Sequence, residues 1–284
     1  VSAPASAPQG FLRRLLRRPL AWAALIWLAL VLAVAVSASL VSPHDPLEQD
    51  LLAVKQLPSA EHLLGTDELG RDLFARIAFG GRYSLTIALL TAFGSVLAGT
   101  LLGLVAGFFR HLDAPVMRVV DAMMSFPDIL LAIALVGILG PSMLNVVLAL
   151  VLVYTPRVAR VVRASTLVVR ELLFVEAARA VGVPTWRILL RHVLPNLSSV
   201  IVAQTALMLS SAILVEASLS FLGLGAQPPY PSLGLMLAEG RNFLMLSPWS
   251  AIFAGVAILL LSFGFNLLGD ALRDQLDPRL RGGP

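Results

Sequence analysis

The stretch EAARAVGVPTWRILLRHVLPN, residues 176–196, is dense in arginine, yet runs of more than twenty uncharged residues lie close on both sides of it. Its punctuation is helical. Residues 164–181 carry a helical pattern with the small residues Ala177, Ala178 and Ala180 near its end. Gly182 stops that helix from the position just past its last turn, where a left-handed backbone is needed. Pro184 suits the first turn of a second helix, where its missing N–H costs nothing. TWRILLRHVL continues that helix, and Pro195 kinks or restarts the chain into the next apolar run. The block is therefore a helix–turn–helix standing out of an apolar body. Glu176 is placed to accept hydrogen bonds or to pair with Arg179 three residues on. From Arg157 to His192, seven arginines face two glutamates, so a partner surface is expected to be partly acidic. The plainer reading is a loop made basic by membrane orientation alone, but that bias needs no hinged helix pair.

On either side of the block the chain is built for lipid. Of its 284 residues 58% are hydrophobic and 13% charged, too little charge to cover a soluble domain. There is no cysteine, which excludes disulfides, thiolate catalysis and cysteine-ligated metals. Lys55 is the only lysine, and the arginines sit beside apolar spans, which argues for membrane orientation and against nucleic acid.

A helix crosses the hydrocarbon core with about 20 residues. Apolar runs predict spans at 20–41, 83–109, 119–139, 143–162, 193–222 and 250–269, with the turn signal GPS at 140–142 separating the third from the fourth. The expected fold class is an all-α integral membrane protein with six transmembrane helices. Six spans put both termini on one side, and that side holds 16 of the 21 basic residues, so both termini are expected in the cytoplasm. The first run follows RRLLRR and ends in AVSAS, as a secretory signal does, but its apolar core exceeds the usual length, which favours a retained anchor.

Two segments fall on the other side. In HLLGTDELGRDLFARIAFGGRYSL, Thr66 or Asp67 is expected to cap a helix with Glu68 in its first turn. Leu69, Leu73 and Ile77 form its apolar stripe, Arg71, Asp72 and Arg76 lie off it, and Gly80-Gly81 turns the chain into the second span. The later segment opens with glycines and prolines, then becomes amphipathic, with Leu233, Met236 and Leu237 apolar and Glu239 and Arg241 polar.

Three carboxylates, Asp121, Asp128 and Glu216, fall within the predicted spans, where charge is costly and faces an interior or a cavity. Asp128 reads equally as part of a cation-attracting pathway or as a helix-to-helix hydrogen bond. For Glu216 the structural role is favoured. Asp121, nearer the cytoplasmic end, reads as structural, with Arg118 three residues back as an available partner. A proton-driven secondary transporter would use Asp128 or Glu216 but leaves the 176–196 block without a purpose. An intramembrane enzyme is disfavoured, since His44, His62, His111 and His192 all fall in loops or at span ends and no H-E-x-x-H or S-x-x-K occurs.

EAARAVG followed by Leu194-Pro195 resembles the EAA loop of ABC importer permeases, and RHVLPN is similar to the dipeptide, oligopeptide and nickel branch. LGTDELGRD at 64–72, SFLGLGAQPPYPSLGLMLAEGR at 220–241 and FNLLGDALRDQLDPRLR at 265–281 resemble the C-type permease subunit of that branch. The resemblance covers nearly all the chain after Leu20. It implies a type I importer permease fold: a tail at 1–19, an anchor at 20–41, an outer loop with an amphipathic helix at 42–81, five helices at 82–270 with the EAA loop at about 164–196, and a tail at 271–284. It implies that Glu176, Ala177, Ala178, Arg179, Gly182, Pro184, Trp186 and Arg187 meet a cytoplasmic ATPase subunit. The chain has no G-x-x-x-x-G-K-[ST] stretch, so ATP and magnesium are expected on two partner ATPase subunits, and no cofactor or metal on this chain. A second permease subunit and an extracytoplasmic binding protein complete the implied assembly. The implied cargo is short peptides, with nickel or glutathione as the alternatives in the branch.

Overall fold

The computed structural model describes residues 19–276. The expected tails, including RRLLRR, fall largely outside the described residues. Among the described residues the protein is helical, and its only β pairing is an isolated bridge between Thr66 and Asp72. In chain order the helices are α1 (Pro19–Val36), α2 (Ala38–Val41), α3 (Leu73–Phe108), α4 (Arg110–Met123), α5 (Asp128–Leu139), α6 (Met143–Val169), α7 (Leu173–Ala180), α8 (Thr185–Ile188), α9 (Leu194–Phe221), α10 (Leu233–Arg241) and α11 (Pro248–Leu276). Among the described residues four helical stretches are long and apolar enough to cross a membrane: Leu73–Phe108, Met143–Val169, Thr185–Phe221 and Pro248–Leu272. The α4–α5 pair makes a fifth if taken as one broken span, and α1 contributes the shorter apolar stretch Ile26–Ala35.

α3 is the shaft of the molecule. Its 36 residues rise about 54 Å at 1.5 Å each. It does not begin at Thr66 or Asp67. Asp72 is its cap, accepting a hydrogen bond from the Ala75 N–H at 2.7 Å. Nor does the chain turn at Gly80-Gly81, since both glycines lie within the helix. A Cβ at Gly80 would stand 3.3 Å from the Leu233 backbone nitrogen, so that glycine serves close approach to α10 rather than a bend.

One face of α3 is small. Thr91, Ser95, Gly99, Gly103 and Gly107 recur every four residues and are buried. A Cβ on Gly103 would come within 2.6 Å of the Ala159 carbonyl oxygen, which shows how closely α6 lies against this face. The opposite stripe, Leu89, Phe93, Leu97 and Leu101, points outward, with Phe93 70% exposed. Small side chains inward and large apolar ones outward is the membrane arrangement, because lipid solvates leucine as well as a core does and backbone approach drives helix association.

The span expected at 119–139 is broken. α4 and α5 meet at 83° around residues 124–127. Pro127 lacks an N–H and disfavours helical backbone at Phe126, so the helix ends and restarts. The turn at 140–142 forms as expected. Gly140 takes φ +87°, Ser142 caps α6, and the Asn145 amide donates to the carbonyls of Leu139 (2.8 Å) and Gly140 (2.9 Å). Hydrogen bonds then stitch the bundle: Tyr154 to the Ser211 carbonyl at 3.2 Å, Ser210 to the Ser262 carbonyl at 2.9 Å and Trp27 to the Leu260 carbonyl at 3.1 Å.

Candidate functional site

The helix expected over 164–181 is two helices. α6 runs to Val169, the chain breaks at 170–172, and α7 begins at Leu173. Arg170 marks the break by donating to the Gly107 carbonyl at 2.6 Å, which pins the turn to the end of α3. Arg170 also donates to Glu171 at 2.9 Å, and that bond holds the Glu171 carboxyl below its usual range. Leu172 is extended, and this swings Val175 into the core.

α7 ends in a Schellman arrangement. The Val183 N–H bonds to the Ala178 carbonyl at 3.0 Å, the Gly182 N–H to the Arg179 carbonyl at 3.0 Å, and Gly182 takes φ +78°. Pro184 caps α8 from outside rather than standing in its first turn, and its carbonyl accepts from Arg187 and Ile188. Leu189–Val193 is a π-helical turn that leads directly into α9. Pro195 supplies the reason, because it has no N–H to close a regular turn and the wider turn absorbs the missing bond.

The hairpin is rooted and open at once. Val175, Ile188 and Val193 are fully buried beneath it. On its outer side Glu176, Ala177, Arg179, Gly182, Pro184, Trp186 and Arg187 are exposed and Ala178 is half-buried. Leu173 is 81% and Val181 83% exposed beside them. The expected Glu176–Arg179 pair does not form. Arg179 stacks over the Phe108 ring at 4.8 Å, and Arg187 lies over Trp186 at 5.2 Å.

Arginines 157, 160 and 163 stand one helical turn apart on α6, and each meets an aspartate of the broken span. Arg157 contacts Asp128 at 2.6 Å, Arg160 contacts Asp121 at 2.5 Å, and Arg163 holds Asp113 through two nitrogens at 2.5 and 2.6 Å. Asp121 therefore pairs across helices with Arg160 and not with Arg118. Asp128 sits half-exposed at the start of α5 with its charge matched. Glu216 is fully buried between α3 and α9, accepting from Ser84 at 2.6 Å and Ser220 at 2.7 Å. The structure thus does not bring the two pathway candidates together.

At the far end of α3, sequence reading missed a charged joint. Arg71, Asp72 and Arg76, expected on a polar outer face, are buried, with Arg76 only 1% exposed. Arg71 binds Asp67 at 2.6 Å, and Arg71 and Arg76 reach Glu239 of α10 at 3.3 and 3.1 Å. Burial pushes the Glu239 carboxyl up, opposed by the Arg76 and Arg71 charges. Trp249 donates to the Thr66 carbonyl at 3.3 Å, and Lys55 stands 4.0 Å over the Phe243 ring. The loop before α3 and the segment carrying α10 are thereby one unit. The signal for it was a set of charges lying off the apolar stripe, but their partner is more than 160 positions away in sequence.

Comparisons with known proteins fit this architecture. Residues 99–282 match the family described as binding-protein-dependent transport system inner membrane component, and residues 6–58 match the N-terminal transmembrane domain of oligopeptide transport permease C. The chain is similar to the glutathione transport system permease protein GsiD of Pectobacterium atrosepticum, 45% identical over 273 residues that cover 95% of this chain and 91% of the relative. It is similar to the dipeptide transport system permease protein DppC of Alkalihalophilus pseudofirmus, 42% identical over 270 residues, 95% and 89% of the two chains. These relatives are named as transport components, not as enzymes. One kind of protein accounts for nearly the whole length: the chain belongs to the family of binding-protein-dependent transport system inner membrane components, the membrane-spanning permeases of ABC transport systems.

Proposed function

We propose that this chain is half of the translocation pathway of an ATP-driven importer of short peptides, and that the α7–α8 hairpin receives a separate ATPase subunit. The observation that carries the reading is the hairpin itself. Leu173, Val181 and Trp186 are exposed on a segment whose root, Val175, Ile188 and Val193, is fixed in the core. An apolar surface outside the lipid calls for a protein to cover it. A rooted hairpin transmits a push: Arg170 ties it to the end of α3, and the π-helical turn ties it to α9. Closure of two ATPases would then rearrange packed helices in this chain and in a related second permease, opening the pathway toward a substrate-binding protein. ATP and magnesium belong to the ATPase partners in this reading, since the chain has no phosphate-cradling loop.

The orientation follows from the arginine bias, with both termini and the hairpin on the cytoplasmic side of the inner membrane and α1 as the first of six spans. Asp128, on the half-exposed flank of the broken span, is the pathway candidate, while Glu216 holds α3 to α9. Two relatives bear dipeptide and glutathione names, which supports a small peptidic cargo, and glutathione is the alternative within it.

The test is co-purification from membranes. Gly182→Pro cannot keep the φ of +78°, and Glu176→Lys reverses a charge on the exposed face. Both should lose the ATPase subunit and transport. Retention of both activities by both variants would remove the docking assignment.

A further inference from the structure

The loop between α2 and α3 gathers three metal-ligating side chains that the transport reading leaves without a task. His44, His62 and Asp72 each offer a donor atom, and these atoms lie within 4.8 Å of one another. They come from the start of the loop, its middle and the cap of α3. Asp72 is buried and His62 is 9% exposed. The His62 Nδ1 stands 2.9 Å from one Asp72 oxygen, while the other Asp72 oxygen caps α3. The two imidazole rings pack with centroids 4.9 Å apart.

The tautomer of His44 follows from its partner. Its Nε2 lies 3.1 Å from the Glu61 carbonyl oxygen, and a carbonyl only accepts, so Nε2 carries the hydrogen. Nδ1 then keeps a free lone pair. A ring nitrogen donating to a backbone carbonyl while the other remains available is the arrangement that orients histidine toward a metal. The surroundings favour a cation as well. A cavity of about 150 Å³ beside the three residues is also lined by Asp45, Glu48, Asp50 and Glu61. Carboxylates on several sides of one concave surface concentrate cations there.

We propose that His44, His62 and Asp72 bind a divalent transition-metal cation of the zinc type. Two imidazoles and one carboxylate are a borderline-soft nitrogen-rich set, suited to zinc and poorly suited to calcium or magnesium, which take oxygen ligands. The cation takes the place of the hydrogen shared between His62 and Asp72, whose ring proton moves to Nε2. Water or a rim carboxylate fills the fourth position. Bound there, the metal cross-links the loop that follows α2 to the first turn of α3 and shortens the free loop, which stabilises this end of the molecule.

The experiment uses the full chain in lipid nanodiscs, stripped with a chelator and titrated with zinc chloride against a fluorescent zinc indicator. One equivalent should bind, and His44→Gln should weaken it at least tenfold. Calcium chloride should not displace it. Thermal unfolding supplies the second readout: zinc should raise the midpoint of the parent protein and not of His44→Gln, while the two unfold alike in chelator. Absence of one-to-one zinc binding, displacement by calcium, or equal zinc affinity in parent and His44→Gln would each overturn the assignment and leave the cluster as a hydrogen-bonded cap of α3.

Discussion

The two ends of α3 are opposites. At the Leu73 end, buried Asp67, Arg71 and Arg76 and half-buried Glu239 are matched with one another. At the Phe108 end the neighbouring hairpin leaves Leu173, Val181 and Trp186 uncovered. The first region pairs its charges within the chain, although the Arg76 Nε and Nη1 are buried without a hydrogen-bond partner, and a joint of that kind holds geometry. The second leaves apolar side chains exposed, and in the proposed reading a partner covers them. The difference also shows that exposure has no fixed meaning in such a protein. Phe93 and Val181 are both exposed, but Phe93 lies midway along a membrane helix, where lipid covers it, and Val181 lies on a hairpin beyond it.

The sharpest way to break this comparison is to remove a charge from the closed end. Arg76→Ala strips one cation from the buried cluster, and losing one partner of a buried pair costs roughly 3–5 kcal/mol. The thermal unfolding midpoint in nanodiscs should fall strongly, and adding Glu239→Ala should recover much of the loss. A midpoint unchanged by Arg76→Ala would mean that the closed end is not a joint.

At the open end the expectation reverses. Trp186→Ala should leave unfolding within about 0.5 kcal/mol of the parent. Capture of the ATPase subunit should weaken by at least tenfold, as for a central aromatic of an interface. Equal loss of stability at both ends would erase the contrast.

Between the ends lies the row of arginine–aspartate pairs. Asp128→Asn removes a half-exposed pair and should cost no more than about 1 kcal/mol of stability. It should instead alter transport or its coupling to ATP hydrolysis. Normal rates with normal specificity would leave Asp128 as a structural pair with Arg157.

The smallest effect is a pH dependence at the closed end. Because burial raises the Glu239 carboxyl, the folded state holds that proton more tightly than the unfolded chain does. Its contribution is therefore greatest below the ordinary carboxylate range and is lost as pH rises through the raised folded value. Relative to Glu239→Gln, the unfolding midpoint of the parent should decline over that interval. A steeper rise in the parent would contradict the shift.

Much of this was readable before any coordinates. The hinge of the hairpin was, because Gly182 and Pro184 act through their own backbone restrictions. The turn at 140–142 was readable for the same local reason, and the course of α9 past Glu216 from its apolar run. The start of α3 was misplaced because Thr66, Asp67 and Asp72 are all competent caps, and the bridge between Thr66 and Asp72 selects the last. Gly80-Gly81 suggested a turn because glycine permits one, while the approach of Leu233 explains why glycine is there. The small face of α3 was invisible to hydropathy, which is high on both sides of that helix.

What the sequence determined by itself was local and additive: which runs are apolar enough for lipid, where the arginines cluster along the chain, and where a backbone must turn. What only the tertiary structure decided was pairing. Glu239 meets Arg76, Arg160 takes Asp121, Arg170 caps α3 and His44 leans on His62, each across a distance in sequence that leaves no local trace. The reason is physical. Hydropathy and backbone preference are properties of a residue and its neighbours, whereas a pair forms only where packing brings two distant groups together, and at buried sites such as Arg76 the low dielectric makes that partner matter most.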